Sequence, residues 1–130
     1  MPVMMGFLGA TLDIGLANAG RTALANAVAS GAQYAALTGT SVTAANVKAL
    51  VEKASGLQNV VATVTGPTCS CIGGTSPTLS AATCGSTCAD GSMAGSYVTV
   101  GATYTYSALM PVFSLMDGVQ ATESAVARLQ

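Results

Sequence analysis

Residues 1–38, MPVMMGFLGATLDIGLANAGRTALANAVASGAQYAALT, read as one helix, and that helix constrains everything that follows it. Small residues recur at every fourth position: Gly15, Ala19, Ala23, Ala27, Gly31 and Ala35. Residues i and i+4 share a helix face, so these form a ladder of small side chains. Such ladders let helix backbones approach closely in lipid or in a dry bundle. Alanine is also the best helix former and common in ordinary cores. This run, however, includes glycine and lacks a complementary bulky stripe. A strict step of four exceeds the 3.6-residue repeat, so the stripe drifts right-handedly and favours crossed neighbours, as in a helical array. The remainder of the chain is too small to cover such a helix.

The helix carries only two charges, Asp13 and Arg21. The apolar run before Asp13 is only about half of the roughly 20 residues that a membrane span needs. Either the span continues through Asp13 to about Leu24, or it begins upstream of Met1. Pro2, which kinks rather than abolishes a helix, favours the second. A stem over residues 3–37 would be on the order of 50 Å long. Its second half is more polar (Asn18, Arg21, Asn26, Ser30, Gln33, Tyr34) and is expected outside the hydrocarbon, with Gly39 as a left-handed cap. A carboxylate in an apolar stretch is expensive and by default marks function. Asp13 and Arg21 lie about 12 Å apart along the axis and cannot pair within one helix. They read as inter-subunit charges, Asp13 of one copy with Arg21 or a terminal amine of another, a pairing that specifies register more than stability. The plainer reading puts Asp13 at the membrane surface or protonated.

Only 7% of the chain is charged, against about 25% in a soluble domain, so much of its surface is expected to be hidden in lipid or in neighbouring copies. The formal net charge of -1 lacks the basic footprint of a nucleic-acid binder. Cys69, Cys71, Cys84 and Cys88 cluster in a Gly/Ser/Thr-rich stretch. Zinc is disfavoured, because the Cys-x-Cys spacing is tight and histidine is absent. A disulfide cluster in an oxidising compartment fits better. If the flanking strands pair as neighbours, nested bridges (Cys71 to Cys84, Cys69 to Cys88) fit best, and crossed bridges remain open. A Cys69 to Cys71 bridge would need strained geometry.

A second helix is expected after Thr43 as N-cap, with an apolar stripe of Val47, Leu50, Val51 and Ala54. Gly56 ends it, and Lys48, Glu52 and Lys53 form a solvated face. The character then turns to β. Strands are expected at residues 59–65 (NVVATVT) and 97–106 (YVTVGATYTY), where Gly101 marks a bulge or a close approach. Residues 120–129 (QATESAVARL) alternate too, with Ala121, Glu123, Ala125, Ala127 and Leu129 on one face; helix is the alternative there. Between the strands lie a 30-residue loop stapled by the cysteines and an apolar link at 109–113. The fold class is α+β: a hydrophobic stem helix (1–38) followed by a small globular lobe (39–130) with an antiparallel sheet.

Catalysis has no foothold in the sequence. Histidine is absent, the carboxylates are scattered, and the glycine-rich stretches do not sit between a strand and a helix as phosphate loops do. No catalytic residue, metal site or cofactor is expected.

The N-terminal residues resemble a known family. Met1-Pro2-Val3, an apolar run and Asp13-Ile14-Gly15 look like the "LP…EFG" segment of TadE-like proteins of the tight-adherence pilus systems. Asn26-Ala27 and Gly31-Ala32-Gln33-Tyr34-Ala35-Ala36-Leu37 are similar to that family's "NA…GARYAAL" stretch. Cys69-Ser70-Cys71, Cys84 to Cys88, Tyr97-Val98-Thr99-Val100, Tyr104-Thr105-Tyr106, Pro111 and Arg128-Leu129 extend the resemblance over nearly the whole chain. Two features depart from the pattern: Asp13 stands for the usual Glu, and the processing region is absent. The resemblance implies a pilin-like fold and a structural role. The subunit would be held in the inner membrane, trimmed by a prepilin peptidase and assembled by the pilus machinery. Its product would be a homo-oligomeric helical filament outside the cell, serving adhesion. The alternatives are a low-abundance minor pseudopilin and a membrane-anchored periplasmic binding module. The second would need a pocket lined by Tyr97, Tyr104, Tyr106 and Phe113.

Overall fold

The computed structural model describes residues 1–73, 78–108 and 117–129. The elements run α1 (Pro2–Thr38), a 3₁₀ turn (Gly39–Ser41), α2 (Ala44–Ser55), β1 (Val60–Gly73), β2 (Thr78–Ala81), β3 (Gly95–Thr105) and β4 (Gln120–Leu129). The four strands form one antiparallel sheet in the order β2-β1-β3-β4. The class is therefore α+β, and the strand at 120–129 spans the residues whose alternation implied it.

α1 is continuous for 37 residues. Its only proline stands in the first turn, where the missing N–H would lack a partner in any case. Gly39 stops it with φ 66 and ψ -142, its N–H reaching Ala35 O. The positive φ suits glycine, but ψ is not that of the left-handed cap expected there, and the chain passes into the 3₁₀ turn instead. α2 starts at Thr43, whose backbone is extended but whose hydroxyl caps nothing. It ends at Gly56 in the left-handed conformation. Its buried stripe is Val47, Val51 and Ser55; Ala54 faces solvent. Glu52, expected to be merely solvated, accepts the N–H of Ala62 at 3.4 Å and so occupies a backbone group on β1.

Both helices pack on one face of the sheet. The core joins Leu24, Ala27, Val28, Ala32 and Ala35 of α1 to Val47 and Val51 of α2, to Ala62 of β1, to Val98, Val100 and Ala102 of β3, and to Ala127 and Leu129 of β4. It thus crosses the boundary drawn at residue 38: the second half of α1 is an integral wall of the lobe. The close approach depends on missing side chains. A Cβ on Gly31 would stand 2.5 Å from Val51 Cγ2, and one on Gly20 would stand 2.8 Å from Tyr104 Cε1.

The small-residue ladder therefore divides. Ala27, Gly31 and Ala35 are buried in the chain's own core, Ala23 is half-buried, and Gly15 and Ala19 are exposed. The cause is the drift of the four-residue step. At about 100° per residue each step turns by about 40°, so the stripe swings by about 200° from Gly15 to Ala35. The face that meets the lobe is instead Gly9, Asp13, Gly20, Leu24, Ala27, Gly31 and Ala35, which steps by three, four or seven and so drifts less.

β1 is twice the expected length. Its register with β3 shifts between Thr65 and Thr68, so the bulge lies there and not at Gly101. Gly101 is a close approach: a Cβ on it would stand 3.0 Å from Thr63 Oγ1. Beyond the bulge β1 runs through Cys69 and Cys71, and β2 folds back on it, with Cys71 opposite Ser80. The bridges are Cys69–Cys84 and Cys71–Cys88, with Cα separations of 5.1 and 5.8 Å. The nested pairing is thus overturned. It assumed that β1 and β3 close a single hairpin. In fact β2 inserts, Ala82 N–H bonds Cys69 O at 3.0 Å, and the turns that follow carry Cys84 to Cys69 and Cys88 to Cys71. Each bridge should contribute about 3 kcal/mol by restricting the unfolded chain. The apolar link at 109–113 lies outside the described residues.

The division of the ladder has a direct test. Gly31→Leu overpacks the core and should cost about 1–3 kcal/mol, while Gly15→Leu, with open space at its Cβ position, should leave stability unchanged or slightly raised. Thermal unfolding in detergent, followed by circular dichroism, compares them.

Candidate functional site

Two features of α1 stand out. The first is its amino-terminal half. Met1, Val3, Met4, Met5, Leu8 and Leu12 are largely exposed, Phe7 is 76% exposed, and Ile14 and Leu16 are over 40% exposed. α1 is long and apolar enough to cross a membrane, a property shared by membrane anchors and signal sequences. The two disulfides suit an oxidising compartment outside the cytoplasm.

The second feature is the polar seam that begins where the apolar overhang ends. Asp13 is only 2% exposed. Tyr106, at the end of β3, donates its hydroxyl to Asp13 Oδ1 at 2.9 Å. Asp13 Oδ2 has no hydrogen-bond partner among the described residues. Burial first, and then the hydrogen bond and the neighbouring Asp13 carboxylate, push the Tyr106 phenol up to about 12. Two turns further along α1, Arg21 Nε donates to Glu123 Oε1 of β4 at 3.0 Å. Asp13 and Arg21, expected to pair between copies, are each engaged inside their own chain. The sequence could not supply these partners, which stand 93 and 102 residues away. One signal was present. Glu123 shares the apolar face of β4 with Ala121 and Ala125, and a carboxylate there calls for a cation.

Between these two pairs, α1 and the sheet leave a cleft of about 260 Å³. Asn18 and Arg21 line it from α1, Tyr104 and Tyr106 from the β3 side, and Gln120 and Thr122 from β4. Ala17, Val119 and Ala121 complete a lining that mixes apolar surface with the Asn18 and Arg21 side chains. Tyr97 is buried elsewhere, beside a shallow patch with Ile72, Leu79, Val126 and Arg128. Tyr97 therefore does not share a pocket with Tyr104 and Tyr106, and Phe113 lies outside the described residues. Among the described residues, no group of three or more His, Cys, Asp or Glu is placed to hold a metal ion.

Comparison of the chain with protein-family models, with curated proteins and with solved structures finds no match.

The Asp13–Tyr106 bond makes two measurable predictions. Tyr106→Phe leaves a buried carboxyl group without its donor and should cost about 1–3 kcal/mol, more than an ordinary exposed hydrogen bond. The phenol also couples stability to pH. Its ordinary value is 10.0 and its folded value about 12, so the neutral form is favoured by folding. That contribution is complete below pH 10 and is lost as pH rises towards 12. Denaturant midpoints across this range should fall for the natural chain, and the Tyr106→Phe variant should show less of the fall.

Proposed function

We propose that this chain is a pilin-like structural subunit. On this reading α1 first anchors it in a membrane and then packs with copies of itself in the core of an extracellular filament. The observation that carries the reading is the overhang: nearly half of a 37-residue helix extends apolar side chains on most sides beyond what the lobe covers. An exposed apolar surface of this kind marks an interaction with lipid or protein. A soluble monomer gains nothing from it. The resemblance to TadE-like proteins points the same way. So does the scarcity of charge, since lipid contacts can be exchanged for helix contacts without stranding buried ions.

The structure narrows which residues such an assembly would use. Ala27, Gly31 and Ala35 are occupied by the lobe, so the part of the ladder free for neighbours is Gly15 and Ala19, together with the exposed side chains before them. Assembly can proceed without dismantling the core.

The paired substitution Gly15→Leu with Ala19→Leu should leave the lobe folded and abolish filaments in negative-stain images of material sheared from cells. Normal filaments from that variant would sink the assembly surface. A natural chain that stays monomeric after detergent extraction and yields no filaments would favour the binding-module alternative.

A further inference from the structure

We propose that the cleft between α1 and β4 is a phospholipid headgroup site, centred on Arg21, that sets the depth at which the anchored chain sits in its bilayer. This rests on the membrane-anchoring part of the function proposed above.

The position of the cleft along α1 is the first reason. The run of exposed apolar side chains in the amino-terminal half of α1 ends at Leu16. Arg21 follows five residues later, about 7.5 Å along the axis. The headgroup layer of a bilayer occupies about 5–7.5 Å on each side of the hydrocarbon. With the hydrocarbon ending near Leu16, the guanidinium lies at the level of the phosphates. Residues 1–16 then cover about 24 Å, most of a hydrocarbon core about 30 Å thick. Tyr104, packed beside Gly20, stands at the same level, where amphipathic rings favour the membrane–water boundary.

The chemistry of the cleft is the second reason. Arg21 is 68% exposed, yet its orientation is fixed, because Nε is held by Glu123, which is 27% exposed. Among the described residues its two terminal nitrogens make no hydrogen bond, so they remain as donors to an outside acceptor. The Asn18 side chain, one helical turn before Arg21, lines the same space. A phosphodiester presents two acceptor oxygens to these donors and carries a single charge. Glu123 offsets much of the cation's field, so a free anion in bulk water gains little by entering. A phosphate already held at that depth by its acyl chains meets the donors without that loss.

The chain has only two arginines, Arg21 and Arg128, which makes the test direct. Arg128 is exposed on the opposite side of β4 from the cleft, and Arg128→Lys leaves Arg21 as the sole guanidinium. The full-length Arg128→Lys chain, nitrogen-15 labelled, is reconstituted into vesicles of phosphatidylethanolamine and phosphatidylglycerol. Flotation shows whether it is membrane-bound, and solid-state NMR measures dephasing of the guanidinium nitrogens by lipid phosphorus. Loss of most of the guanidinium signal in a chain that floats supports the site. Flotation with no dephasing overturns the site and leaves the anchor standing; failure to float overturns both. Inorganic phosphate, titrated into the chain in an uncharged maltoside detergent, should leave the guanidinium resonances in place. A saturable shift there would replace the lipid site with one for free phosphate.

Discussion

The close seating of α1 on the sheet and on α2 is the contact from which the other features follow. It is possible only because Gly20 and Gly31 put no side chain between the helix backbone and Tyr104 or Val51. With the second half of α1 seated there, Val28 and Leu24 fill the core, Tyr106 comes within reach of Asp13, and Glu123 comes within reach of Arg21. The overhang is the geometric remainder. A straight helix of 37 residues extends about 55 Å, longer than one face of a four-stranded sheet can cover.

How far the sequence disclosed this depended on whether a signal was local. Both helices, the strand beginnings and the face of β4 follow from periodicity, because each is set by residues within a few positions. The long β1 did not, since its second half holds cysteines and glycine and reads as loop. Only pairing with β2 makes it a strand. The disulfide pairing failed for the same reason: it hinges on where β2 inserts. The ladder was visible but its meaning was not. A step of four residues names a stripe on the helix surface, but only the position of the sheet decides which rungs that stripe loses to the core. Asp13 and Arg21 were found as anomalies, whereas Tyr106 and Glu123 could be reached only through the fold.

The two ends of the lobe differ in how they are held. At the end near the overhang, polar side chains do the work: one phenol on a buried carboxylate and one ion pair whose cation is largely exposed. Exposed pairs of that kind contribute little by themselves, so this end answers to its surroundings, to pH through Tyr106 and to whatever meets Arg21. At the other end the chain is held covalently by the two bridges.

That covalent end has a mechanical meaning. The bridges Cys69–Cys84 and Cys71–Cys88 cross, so neither can open by peeling β2 away from β1. Under tension across the lobe, the chain between Cys69 and Cys88 could not straighten, which withholds roughly 60 Å of contour. Yielding would have to begin in the strands that the cysteines do not enclose, and the distal cap would keep its shape while the rest of the sheet gave way.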